Sequence, residues 1–191
     1  CDDGMEFGTA SVCIPACYVK EAKEYVKDRL KICTVTGFPT GYSTTATKVA
    51  ETLDAVKNGA DEIDYVLNIP RLISGDTAYI RQEMESIVKL CRENNVISKV
   101  IFENCYLTKE QIVTAAEIAR DVRPDFIKTS TGFAGGGATV ADIELFAAHR
   151  EKHLKIKAAG GISSLADAED FINLGATRLG TSSESSSTAL K

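Results

Sequence analysis

The chain has 191 residues, 44% of them hydrophobic, and sets 22 Lys plus Arg against 27 Asp plus Glu for a formal charge of −5. That length and apolar content suit one domain with its own core and exclude a disordered chain. No apolar run approaches the ~20 residues a membrane helix needs, and mild acidity offers no basic face for non-specific nucleic-acid binding, so neither is expected as a partner.

Short β-branched runs alternate with amphipathic windows along the chain. SVCI (11–14) precedes a helical window near 18–28, and KICTV (31–35) precedes one at 44–58. In the latter, Ala46, Val49, Ala50, Leu53 and Val56 hold the 3.6-residue period and predict the buried face. EIDYVL (62–67) leads to a helix near 77–94 capped by Asp76, with Ile80, Met84, Ile87, Val88 and Cys91 on one face. SKVIFE (98–103) leads to a helix at 109–122 that starts on the capping box Thr108-x-x-Gln111. FIKTS (126–130) precedes 140–151, KIKAA (155–159) precedes 165–174, and TRLGTS (177–182) closes the series. Gly59 and Gly175 stand where a left-handed helix end is needed before the next strand. No linker interrupts the pattern before the Ser-rich stretch at 182–187, so residues 1–191 are expected to form one domain.

Seven β units joined by helical crossovers predict a parallel sheet. An open doubly wound sheet lacks support, because Val140 stands where a dinucleotide fingerprint needs its third small residue and no Gly-Lys-Ser/Thr follows any glycine loop. Several strands instead carry charge in their second halves, where barrel enzymes place their chemistry. The expected fold is therefore an α/β, (β/α)₈ TIM barrel lacking its first strand–helix unit, which belongs upstream of Cys1.

Lys128 in FIKTS, Lys157 in KIKAA and Asp64 in EIDYVL are embedded in runs that read as strands buried on both faces. Burying an ammonium costs several kcal/mol unless something compensates. A salt bridge or a strand-end position would be a sufficient structural reason for one such lysine. Two at equivalent places in successive βα units favour chemistry. Lysine attacks a carbonyl only as the neutral amine, and its reference pKa of ~10.4 leaves little of that form at neutral pH. Burial and a second ammonium both push the value down. Neighbouring strands lie ~4.8 Å apart, so two inward lysines can reach one another. One would form a Schiff base, the other would keep it neutral beforehand, and Asp64 could pass protons through a water. Lys155 reads as a lower-end or solvent residue, Lys99 and Glu103 as members of an interior salt-bridge network, and Glu62 as structural.

Gly160-Gly161 after KIKAA and Gly180-Thr181-Ser182-Ser183 after the next strand sit where barrels commonly cradle phosphate. The helix following Gly161 is expected to be capped by Ser163 or Ser164, and Gly135-Gly136-Gly137 reads as a loop. No metal site is expected. The only histidines, His149 and His153, would share a helix face, but Arg150 replaces the Glu of a zinc-protease motif. The six cysteines at 1, 13, 17, 33, 91 and 105 form no CxxC pair. With no signal peptide visible, they read as reduced, buried thiols of a cytoplasmic protein.

FIKTSTGF (126–133), IKAAGGI (156–162), GADEIDYV (59–66), LGTSS (179–183) and SKVIFENCYLT (98–108) together resemble the deoxyribose-phosphate aldolase family, in that family's order from about Ala10 to Ser183. The resemblance implies a (β/α)₈ barrel and a metal-free, cofactor-free class I aldolase. Its reaction would be the reversible cleavage of 2-deoxy-D-ribose 5-phosphate to D-glyceraldehyde 3-phosphate and acetaldehyde, in deoxyribose phosphate catabolism. It casts Lys128 as the Schiff-base lysine, Lys157 as the lysine that perturbs it and Asp64 as a proton relay. It places Thr131, Gly132, Gly160, Gly161, Gly180, Ser182 and Ser183 on substrate- and phosphate-binding loops. The implied partners are a phosphosugar and an aldehyde, and the implied assembly is a homo-oligomer, dimer or tetramer. Two other readings stand beside it: a transaldolase-like Schiff-base enzyme on another sugar phosphate, and a catalytically silent phosphometabolite-binding barrel. Ser163-Ser164 stands where many family members have Arg-Thr.

Overall fold

A computed structural model describes residues 1–181. Its seven strands are β1 (Val12–Cys13), β2 (Ile32–Thr36), β3 (Glu62–Val66), β4 (Ile97–Ile101), β5 (Phe126–Lys128), β6 (Lys155–Ala159) and β7 (Arg178–Gly180). They pair in chain order, and every pairing is parallel. The sheet is rolled rather than flat. Seven flat strands would hold β1 and β7 nearly 30 Å apart at ~4.8 Å per neighbour. Yet Arg178 on β7 reaches Ser11, just ahead of β1, at 3.3 Å. The roll is that of a TIM barrel short of one unit.

The helices are α1 (Asp2–Glu6), α2 (Val19–Val26), α3 (Thr45–Lys57), α4 (Ile69–Ile73), α5 (Thr77–Glu93), α6 (Lys109–Val122), α7 (Val140–His149) and α8 (Leu165–Asn173). The short α1 and α4 have no counterpart in the periodicity, since five residues are too few to establish one. Start signals act as the sequence implies: Asp76 accepts from the Tyr79 amide at 3.2 Å, and Thr108 and Gln111 cap α6 reciprocally. Ser164, not Ser163, caps α8, with Asp167 as its reciprocal partner. Gly59 and Gly175 adopt φ of 99° and 112°, which a side chain would strain.

On α5 the five expected residues are all buried. On α3 two of the five expected residues, Val49 and Val56, pack against the core, but the fully buried positions are others. Lys48, Thr52 and Ala55 point inward, whereas Ala46, Ala50 and Leu53 are exposed. The cause is a tertiary partner. Lys48 Nζ donates to Glu83 of α5 at 2.8 Å and to the Val66 carbonyl at 2.8 Å, with both side chains out of solvent. An apolar count cannot see a lysine whose charge is neutralised from another helix. The thiol expectation is corrected too. Cys33 and Cys91 are buried, but Cys1, Cys13, Cys17 and Cys105 are exposed. α7 stops at His149, so His153 lies off the helix and faces Glu151 at 3.6 Å.

Candidate active site

The barrel interior is stacked with charge because alternate strand residues point inward. The lower layer holds Glu62, whose carboxylate meets Lys99 at 2.6 Å, Arg178 at 3.2 Å and the Ser11 hydroxyl at 2.9 Å. One strand step higher, Asp64 is fully buried. Its Oδ1 accepts from Lys99 at 2.6 Å, and its Oδ2 accepts from both Lys128 at 2.9 Å and Lys157 at 2.8 Å. Lys99 thus joins the interior network through Glu62 and Asp64 rather than through Glu103. Lys155 is exposed and lies over the Phe126 ring.

Lys128 and Lys157 are direct neighbours in the parallel register of β5 and β6, and both point inward. Their nitrogens share one carboxylate oxygen, so they are no further apart than two hydrogen bonds laid end to end. Asp64 is three strands from Lys157 and reaches it only because the sheet is rolled. Two carboxylates here face four cations, which leaves the interior positive.

That geometry changes the expected protonation. Burial pulls the Lys128 amine down, but attraction and hydrogen bonding from Asp64 outweigh it, and Lys128 sits above the ordinary lysine range. Asp64 is penalised by burial, yet the ammonium groups of Lys128, Lys157 and Lys99 hold it well below the usual carboxylate range. Lys99, also penalised by burial, is raised by Asp64, Cys33 and Glu62. The expectation that burial and a second ammonium alone set Lys128 omitted the carboxylate between them.

A cavity of about 440 Å³ opens above the lysines, lined by Cys13, Lys128, Gly132, Phe133, Lys157, Gly160, Gly161 and Gly180, among others. Four expected loop residues therefore meet the lysines at one cavity. Gly132, Gly160 and Gly161 have φ of 87°, 77° and 74°, so the backbone itself forms the rim. The loop at 135–137 presses on that rim. Ala138 donates to the carbonyls of Ala159 and Gly160 at 3.1 and 3.0 Å, and a Cβ on Gly137 would meet the Gly160 oxygen at 2.3 Å.

Thr131 is not among the residues lining this cavity. Its hydroxyl donates to Glu103 Oε2, its amide donates to Glu103 Oε1 at 3.1 Å, and its Oγ1 accepts from the Phe133 amide. It ties down the turn after β5. The start of α8 is also occupied, since Asp167 accepts from the Ser163 and Ser164 amides at 3.2 and 3.1 Å. Ser182 and Ser183 lie outside the described residues.

Lys99, Arg178, Cys13 and Phe133 join the site without having been singled out for it. Phe133 is 77% exposed at the mouth and meets Phe38 edge-on at 5.2 Å. Lys99 lies beside Asp64 in the β3–β4 register, whereas Arg178 reaches Ser11 and Glu62 only through the roll of the sheet. Cys13, Cys33 and Asp64 bring three donor atoms within 4.8 Å of one another. Lys99 already lies 3.4 Å from the Cys33 sulfur and shares Oδ1, so a cation there would face an ammonium. The set suits proton and thiol chemistry better than metal binding.

Comparison with known proteins agrees with this geometry. Residues 1–177 match the family model described as DeoC/LacD family aldolase. Deoxyribose-phosphate aldolase of Streptococcus agalactiae serotype Ia is 55% identical over 181 residues, covering 95% of this chain and 80% of the relative. The enzyme of the same name from Streptococcus pyogenes serotype M4 is also 55% identical, with the same coverage. Among solved structures, the tetrameric deoxyribose phosphate aldolase of Aeropyrum pernix superposes with a TM-score of 0.87 at 26% identity, covering 98% of this chain and 78% of that one.

Proposed function

The chain belongs to the DeoC/LacD family of aldolases, and from that membership we propose how its buried charges divide the work of the reaction. The activity is that of a class I aldolase, a carbon–carbon lyase that reversibly cleaves 2-deoxy-D-ribose 5-phosphate to D-glyceraldehyde 3-phosphate and acetaldehyde. In our reading Lys128 is the nucleophile. At rest Asp64 holds it charged. When Lys157 takes the whole of Oδ2, Lys128 loses its anchor and gives its proton to water. Burial and the adjacent Lys157 ammonium then keep it neutral.

Neutral Nζ adds to the C1 aldehyde, and loss of water leaves an iminium. Removal of the C3 hydroxyl proton lets the C2–C3 bond break, with its electron pair drawn toward the iminium nitrogen as an enamine. Glyceraldehyde 3-phosphate departs, C2 takes a proton, and hydrolysis of the second iminium frees acetaldehyde. Asp64, acting through a water, moves these protons. The positive interior and the glycine rim of Gly132, Gly160, Gly161 and Gly180 favour the phosphate at the cavity mouth. Ser182 and Ser183 are assigned to the same phosphate on sequence grounds alone.

The observation that carries this assignment is the sharing of one Asp64 oxygen by two lysines beneath a glycine-rimmed cavity. Borohydride reduction in the presence of acetaldehyde, followed by peptide mass analysis, tests it. An ethyl adduct on Lys128 is expected; an adduct confined to Lys157, or none, overturns it. The reading extends to a homo-oligomeric cytoplasmic enzyme. A tetrameric solved relative supports the first part, and no helix among the described residues is long and apolar enough to cross a membrane. Sedimentation of the purified protein checks the assembly.

A further inference from the structure

The lysine mechanism leaves a pair of thiols unused, one on the wall of its cavity and one buried behind it. Cys13 on β1 and Cys33 on β2 are direct partners in the parallel register, so both side chains leave the sheet on the same side. Their sulfurs lie within 4.8 Å of each other. Paired neighbours at ~4.8 Å fall inside the Cα separations of ~4.4–6.8 Å that a disulfide spans. The two thiols are unlike. Cys13 is exposed and lines the cavity beside Lys128 and Lys157. Cys33 is fully buried, and its S–H donates to Asp64 Oδ1 at 3.2 Å.

We propose that Cys13 and Cys33 form a redox pair, in which a peroxide oxidises the accessible Cys13 and the buried Cys33 resolves it to a disulfide. The difference in acidity supports this order. Hydrogen bonding with Cys33 and the facing lysine charges hold Cys13 down at about 7, whereas contact with Cys13, burial and Asp64 push Cys33 well above the ordinary thiol range. The exposed member therefore supplies the thiolate, which is the reactive form.

The Cys13 thiolate attacks one peroxide oxygen, the O–O bond breaks, and hydroxide leaves to take up the proton Cys13 gave up. Cys13 is now a sulfenic acid, oxidised by two electrons, and the peroxide is reduced by two. Cys33 gives up its proton and attacks the sulfenyl sulfur. The S–O bond breaks and the expelled hydroxide leaves with that proton as water. Two thiols and one peroxide become one disulfide and two waters. Closing the bond draws together two strands whose Cβ atoms prefer a wider spacing than the ~3.8 Å of a disulfide, so thiol reductants should reopen it readily.

The test treats the folded protein with a few equivalents of hydrogen peroxide at pH 7, blocks remaining thiols with iodoacetamide and maps the peptides. A Cys13–Cys33 linked peptide that dithiothreitol reverses is expected. Cys33→Ala, checked for fold by circular dichroism, should carry Cys13 on to the sulfinic acid at the same dose. Cys13→Ala should leave Cys33 unmodified while Cys17 and Cys105 react as before. If wild-type Cys13 accumulates as sulfinate, or if the linked peptide joins Cys13 to Cys17 or Cys105, the proposal fails. Should Cys33→Ala not fold, that wild-type mapping alone decides the matter.

Discussion

Asp64→Asn keeps the shape of the side chain and removes the one carboxylate that three ammonium groups touch. Lys99 retains Glu62 at 2.6 Å, so the burden falls on Lys128 and Lys157, which are 5% and 6% exposed. Stripping a buried charge of its partner costs ~3–5 kcal/mol. The two lysines do not both incur the full penalty. One can release its proton instead, at ~1.4 kcal/mol per unit that its pKa exceeds the pH, or ~4–5 kcal/mol at pH 7 from the ordinary value. Together these bounds predict a loss of ~3–5 kcal/mol. For a chain of this size that lowers Tm by about 10 °C, within the ~5–15 kcal/mol a domain holds.

The pH dependence separates this cause from a loss of packing. In the wild type, Asp64 is depressed, so its contribution is present above its unfolded value of ~3.9 and is lost as pH falls through the lower folded value. Lys99 and Lys128 are raised, so theirs is present below ~10.4 and is lost as pH rises through the higher folded values. Asp64 and its lysines should therefore add no slope to wild-type stability from about pH 5 to pH 10, and the comparison with the variant isolates their part. In Asp64→Asn the freed lysines are depressed instead, and depressed lysines give a stability that climbs as pH rises. Urea midpoints measured across that range read the difference directly. A loss under ~1 kcal/mol, or no climb on the alkaline side, would refute the view that Asp64 is what keeps the lysines charged.

Three further changes probe other parts of the molecule. Lys157→Leu leaves Asp64 Oδ2 wholly to Lys128; the fold should persist, with activity at pH 7 down by about 100-fold or more and partly recovered at high pH, as a pH–rate profile would show. Gly137→Ala drives a Cβ into the Gly160 carbonyl at 2.3 Å; KM for the phosphorylated substrate should rise about tenfold, a change near 1.4 kcal/mol, while borohydride trapping of acetaldehyde on Lys128 stays near wild type. Glu83→Gln strands the fully buried Lys48; denaturant unfolding should register a loss of ~3–5 kcal/mol, and the trapping assay at low temperature should remain near normal.

The sequence by itself determined the alternation of strands and helices, because burial on two faces and on one face leave different periods in the order of residues. It determined the caps at Asp76 and Thr108 as well, since such caps act within four residues of themselves, and it narrowed the cap of α8 to Ser163 or Ser164. It also marked Lys128, Lys157 and Asp64 as charges that a core would not hold without reason. Only the tertiary structure decided what those charges do to one another. The rolled sheet carries Asp64 across three strands to sit between two lysines, and a carboxylate there reverses the direction in which burial alone moves Lys128. The inward turn of Lys48 and the pairing of Cys13 with Cys33 are decided in the same way. Charge and hydrogen bonding depend on distance in space, and residues far apart in the chain acquire that distance only when strands and helices pack together.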